Sequence, residues 1–294
     1  MSAASPPVTG VALRDLLALV KPRITTLVVF TTASGLWLAP QRPAPLAIAL
    51  TLLGTVLIVA AANVLNMYLE RDSDAFMTRT ANRPLPAGRM DPGVALRFGI
   101  ALAAISVPLL TFAVGALPGL LASVALVSYV LLYTPLKRLS ATSLLVGAIP
   151  GAIPPLIGWT AATGSLELPG VLLFAVMFLW QVPHFLAITL FRKAEYARAG
   201  LIVQPNEPGG EPAARRNIVR YTVALVFVSL LFVPLGVAGK AYLATALIGG
   251  AAFLGYGIKG LGGHAGTRWA RNLFFLSLIY LTVLFAVLMA DKLH

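Results

Sequence analysis

Apolar stretches of nearly helix-spanning length follow one another along the chain, separated by short polar connectors. A helix that crosses a bilayer needs ~20 predominantly apolar residues, and nine stretches approach or meet that length, at 23–40, 45–69, 93–115, 117–134, 141–162, 168–191, 218–238, 241–258 and 269–290. Within them hydrophobicity is continuous, unlike the in-and-out alternation of barrel strands, which runs for ~10 residues at a time. Backbone polar groups inside a bilayer must be paired within the protein, so helices remain. The pattern predicts an all-α polytopic bundle of about nine transmembrane helices forming one domain over 1–294. Pro108, Pro150, Pro154, Pro155, Pro183 and Pro234 fall inside these stretches and predict interruptions around a central chamber.

The polar connectors carry a consistent sign. Starting inside, the predicted crossings deliver 19 of the 22 Lys and Arg residues to the inner face and leave Arg42, Lys240 and Lys292 outside. The positive-inside rule therefore places the N-terminus in the cytoplasm and the C-terminus on the periplasmic side of a bacterial inner membrane. A net charge of +12 in a soluble protein would raise nucleic-acid binding. Here topology accounts for it, and no nucleic-acid partner is expected. The composition agrees, with 59% hydrophobic and 11% charged residues and a mean hydropathy of +0.88. Absence of cysteine excludes disulfides, thiolate metal sites and iron–sulfur clusters. Met1 to Leu13 shows no positively charged leader, and Gly10 to Val20 reads as a short interfacial helix within an N-terminal segment, 1–22. Two inner connectors, 70–92 and 192–217, are longer than the rest.

Candidate chemistry concentrates at the first of them. Asn66, Glu70 and Asp74 are spaced four residues apart and stack on one helical face. Their oxygens suit Mg2+, a hard cation commonly held by one or two carboxylates together with substrate phosphates. Asn63 continues the polar face inward, where a polar side chain is a functional candidate. Arg79 and Arg83 follow closely and could clamp the same phosphates, with Lys137 and Arg138 as further cations. A plain alternative is a polar helix end entering the headgroups beside inside-positive loop residues. In the sixth stretch Trp180, Gln181 and His184 surround Pro183, and two polar side chains beside a helix interruption suggest a cavity lining. A lone histidine on an apolar helix is also commonly a hydrogen-bonded structural residue. Glu195 and Tyr196 open the second long connector, where a solvated loop is the simpler account.

Taken together, Lys21–Thr25, Asn63–Pro86, Tyr133–Arg138, Trp180–Phe185 and Glu195–Tyr196 with Ala199–Gly200 resemble the UbiA-type intramembrane prenyltransferases, specifically their haem-modifying branch. That resemblance implies a nine-helix bundle opening near the cytoplasmic face, farnesyl diphosphate as donor, haem B as acceptor and Mg2+ as cofactor. It assigns Asn66, Glu70 and Asp74 to the metal, and Arg79, Arg83, Lys137 and Arg138 to diphosphate. Glu195 corresponds to the acid of the second loop, a further metal position, although the family usually has Asp there. Gly200–Pro205 also departs from the usual Gly-Ile-Pro-Met-Leu-Pro. The resemblance extends to partners in terminal-oxidase assembly, including a haem A synthase. Competing readings are a sister enzyme acting on an aromatic quinone precursor or another tetrapyrrole, and a transporter of an anionic lipid or metabolite.

Overall fold

The computed structural model describes residues 12–262 and 265–293. Met1–Val11, which carry the start of the predicted interfacial helix, and the final residue lie outside the described residues. Among the described residues the regular structure is helical, with one isolated bridge joining Ala238 to Lys292.

Helix α1, Leu13–Leu19, is followed by α2, Pro22–Leu38, at a bend of 51°. The corner forms at Lys21, the one non-glycine residue with positive φ among those described, at 49°. Thr25 Oγ1 donates to the Val20 and Lys21 carbonyls and ties off the corner. Beneath it Leu19 packs with Val64, Met67, Leu85 and Met90. Asp15 accepts from Arg89 of the first loop at 3.2 Å. The short helix is thereby tied down beside the polar connector.

Helix α3, Pro45–Asp74, contains 30 residues. At a 1.5 Å rise it extends ~45 Å against a hydrocarbon core of ~30 Å, so its polar end reaches past the apolar layer. Helices α4, Pro92–Val114, and α5, Ala116–Leu136, meet at Gly115; α4 ends in a wider π turn over Leu109–Val114, and α5 widens to π over Ser128–Tyr133 before a last α turn, Thr134–Leu136. Pro108 marks the first transition.

Helices α6, Ser143–Thr163, and α7, Leu168–Phe191, form the centre. The predicted interruptions do not break them: α6 stays helical through Pro150, Pro154 and Pro155, and α7 through Pro183. Close neighbours hold the proline turns in place. A Cβ at Gly158 would enter the Thr32 carbonyl of α2, and one at Gly35 would enter the Pro155 carbonyl of α6. Small residues here let two backbones approach.

After the short α8, Lys193–Arg198, come α9, Gly210–Leu230, α10, Lys240–Lys259, and α11, Thr267–Ala290. Trp159, Trp180, Leu225, Tyr242, Phe253 and Phe285 share the largest core of this half. Among the described residues seven helices are long and apolar enough to cross a membrane, or eight if α1 and α2 count as one bent span, so the expected nine is not confirmed. The stretch at 218–238 falls short: its helix begins earlier, among Arg215, Arg216 and Arg220, and stops at Leu230, leaving Pro234 in a turn.

Candidate active site at the polar end of helix α3

Asn66, Glu70 and Asp74 are 2%, 8% and 4% exposed, so the polar face of α3 is covered by protein and does not simply dissolve into headgroups. Each acid meets a cation from a different element. Lys137, just past α5, places Nζ 2.8 Å from Glu70 Oε1. Arg83, from the loop after α3, places Nη1 2.6 Å from Asp74 Oδ2. Thr80 supports that loop by donating to the Asp74 carbonyl at 2.7 Å.

The orientation of Asn66 follows from its neighbour. Thr134 Oγ1 gives its only proton to the Tyr129 carbonyl at 2.8 Å, so it must accept from Asn66 Nδ2 at 3.0 Å. Asn66 Oδ1 is then left available on the same face as the two carboxylates. An amide oxygen and two carboxylates one turn apart match the donor set of Mg2+, with phosphate oxygens completing the shell. Among the described residues no three acidic or histidine side chains converge as a metal cluster, so protein ligands alone do not build a cage. Glu195 stays outside that group. Its Oε1 accepts from Arg192 at 2.7 Å, one turn back on the same segment, and Oε2 is buried without a partner.

The predicted cations separate into two sets. Arg83 and Lys137 reach the carboxylates, whereas Arg79 and Arg138 are exposed and make no ion pair among the described residues. Arg138 directly follows Lys137 in the turn past α5, where Lys137 is half-buried and turned to Glu70 while Arg138 is exposed. Lys21 is the cation that was missed. At the α1–α2 corner, burial together with the Arg83 and Lys137 charges lowers its ammonium from 10.5 to about 7. Lys21, half-buried, thus adds a third basic group near the two carboxylates without an ion pair to either among the described residues. Burial by itself would depress Lys137, but Tyr133 and Glu70 outweigh it and hold that ammonium above the ordinary lysine range. Lys137 Nζ also lies 4.2 Å from the centre of the Tyr133 ring. Tyr133 and Lys21 both lie in segments that carry the family resemblance, which was the available signal for them.

The second long loop covers the first. Tyr196 packs with Met77, Ala199 and Leu201, and the Ile202 amide donates to the Lys137 carbonyl at 2.8 Å. Tyr196 therefore packs over the first loop beside this candidate site.

The motif on α7 braces three helices. Gln181 Nε2 donates to the Ala148 carbonyl of α6 at 3.1 Å, and a Cβ at Gly151 would collide with Gln181 Oε1. Trp180 Nε1 donates to the Ser277 carbonyl of α11 at 2.7 Å. His184 Nδ1 lies 2.7 Å from Ser277 Oγ, whose proton goes to the Phe274 carbonyl. The imidazole proton is therefore on Nδ1, and Nε2 retains its lone pair. Trp180 and Phe274 flank the ring at centroid distances of 4.6 and 4.7 Å. Direct contact of these residues with the acid-bearing end of α3 is absent from their hydrogen bonds and ring contacts among the described residues.

The helical bundle is that of an intramembrane prenyltransferase: the family model for UbiA prenyltransferases matches residues 28–279, and the chain belongs to this family. A protoheme IX farnesyltransferase from Sorangium cellulosum is 56% identical over 90% of this chain and 99% of its own. A protein of the same name from Myxococcus xanthus is 53% identical over 95% and 94%. The fold agrees with a solved digeranylgeranylglyceryl phosphate synthase at a TM-score of 0.81 and 18% identity, covering 95% of this chain and 98% of that one. A UbiA homologue from Archaeoglobus fulgidus, solved with GPP and Mg2+, has a TM-score of 0.68 and 14% identity over 93% and 99%.

Proposed function

We propose that this protein transfers the farnesyl group of farnesyl diphosphate to a vinyl group of haem B, releasing diphosphate and giving a hydroxyethylfarnesyl haem. The observation that carries the reading is the pairing of Glu70 with Lys137 and Asp74 with Arg83 on one buried helix face. It is joined by identities of 50–56% to several proteins named protoheme IX farnesyltransferase. Asn66, Glu70 and Asp74 would hold Mg2+, which supplies positive charge to the diphosphate as it leaves. Arg83, Lys137 and Lys21 orient the diphosphate and stabilise charge developing on its oxygens when the allylic carbon–oxygen bond breaks. The haem vinyl π electrons then form the new carbon–carbon bond. An apolar surround at the inner end of this face would keep bulk water from the carbocation. Nε2 of His184 is the group on α7 suited to a haem iron or an acidic proton, whereas Gln181 and Trp180 hold that helix in place.

The same reading places the protein in a bacterial cytoplasmic membrane, N-terminus inside, with terminal-oxidase assembly as the process that consumes its product. The positive-inside charge distribution supports the orientation. To test the activity, the purified protein is incubated with farnesyl diphosphate, haem B and Mg2+, and the haem products are weighed. A haem heavier by one farnesyl group and the elements of water is expected. Prenylation of a hydroxybenzoate acceptor but not of haem would overturn the assignment.

A further inference from the structure

The polar face of α3 continues one step beyond the proposed metal ligands. Asn63 is 5% exposed, and its Nδ2 is buried with no hydrogen-bond partner in the protein. A buried donor in that condition costs about 1–3 kcal/mol unless something else meets it. Trp159, Glu195 and Tyr280 also have unpartnered buried atoms, but they belong to other segments. Asn63 alone among them shares α3 with the carboxylates. Positions 63, 66, 70 and 74 stay within about 80° of one another around a 3.6-residue helix, so the amide lies on the side where diphosphate is proposed to bind. Along the axis it lies ~10 Å inward of Glu70, by the 1.5 Å rise.

That depth corresponds to the place of the reaction's second bond. When the terminal vinyl carbon bonds to the farnesyl carbon released by diphosphate, the positive charge moves to the vinyl carbon attached to the porphyrin. Two carbons and one phosphate ester link separate it from the diphosphate, on the inward side. A haem propionate would be a poor occupant for Asn63. Propionates are anionic and lie on the porphyrin edge opposite the vinyl groups, and a charge inside the apolar layer calls for a cation. A neutral amide that both donates and accepts suits a neutral molecule of the same character.

We propose that Asn63 holds the water molecule that adds to the porphyrin-adjacent carbocation, an inference that rests on the haem-farnesylating function above. The water oxygen supplies the electron pair for the new carbon–oxygen bond, and the resulting oxonium loses one proton to the released diphosphate. If no water is held there, the same cation discharges by losing a proton from the adjacent new methylene. The product is then a conjugated alkene, lighter by one water. Asn63 is a positioning residue in this scheme and decides which product leaves.

Product identity tests the proposal independently of rate. Asn63→Leu and Asn63→Ser are incubated with farnesyl diphosphate, haem B and Mg2+ in oxygen-labelled water, and the ratio of dehydrated to hydrated prenyl haem is read by mass. Asn63→Leu is expected to raise that ratio by about tenfold, the scale set by losing one hydrogen bond to the water. Asn63→Ser, which keeps a hydroxyl, stays near the wild-type ratio. An unchanged ratio in Asn63→Leu overturns the role of Asn63. Should that variant fail to accumulate, Asn63→Val is read in the same way and an unchanged ratio has the same force. Wild-type protein that makes no prenyl haem at all would overturn the functional reading instead.

Discussion

Asp74→Asn separates a charge needed for chemistry from a contact needed for the loop. The carboxylate is 4% exposed and accepts from Arg83, whose side chain is 21% exposed, at 2.6 Å. An asparagine fits the same volume and can still accept from Arg83 through Oδ1. The loss to stability is then the ionic part of a partly solvated pair, ~1 kcal/mol or less. Turnover should fall far more, because one of the two full negative charges proposed to hold Mg2+ is removed. By comparison with losing a single preorganised electrostatic group at an active site, the fall is ~10²–10³-fold, or about 3–4 kcal/mol of transition-state stabilisation. Asp74→Ala loses the same activity but also leaves Arg83 unpaired, which adds about 1–3 kcal/mol of destabilisation. The assay is prenyl-haem formation across a Mg2+ titration, with thermal unfolding of each variant in detergent as the control. If Asp74→Asn keeps more than about half of wild-type turnover at saturating Mg2+ while Asp74→Ala loses it, Asp74 only anchors the loop and the metal assignment fails.

Arg83→Lys keeps the charge but loses the guanidinium fork, so farnesyl diphosphate affinity should fall about tenfold in a competition assay, while the exposed Arg79 changed to Lys stays within about twofold; equal losses would show that exposure does not discriminate the two arginines. Lys21→Met should flatten the pH dependence of thermal stability. The wild-type ammonium has its pKa lowered from 10.5 to about 7 in the folded protein, so between those values the unfolded chain binds more protons and native stability rises with pH. Parallel wild-type and variant profiles over that window would contradict the enclosure of Lys21. Gly158→Ala forces a methyl against the Thr32 carbonyl and should destabilise the α2–α6 contact by ~1–3 kcal/mol or more. An unchanged unfolding midpoint would mean the two helices are free to separate at that crossing.

The helical bundle was legible in the sequence because the bilayer admits few solutions: apolar length and backbone pairing specify helices before any packing is known. The stack of Asn66, Glu70 and Asp74 was equally legible, since helical periodicity alone puts those positions on one face. Pro150, Pro154, Pro155 and Pro183 misled for a physical reason. A proline removes a backbone donor locally, but α6 remains continuous where α2 packs closely enough to hold it, and that neighbour lies more than a hundred residues away in the chain. Motif spacing could not separate Arg83 from Arg79 or Lys137 from Arg138, because which one turns inward depends on loop geometry that Thr80, Asp74 and Ile202 secure through tertiary hydrogen bonds. Lys21 entered the site only when the α1–α2 corner folded back against the first loop through Asp15 and Arg89. The sequence by itself determined membrane class, helix identity and the acidic face of α3, all of which follow from local pattern. Which cations meet those acids, which amide is left without a partner, and which tautomer His184 adopts were decided by tertiary structure, because each depends on a proton or a charge supplied from a distant segment.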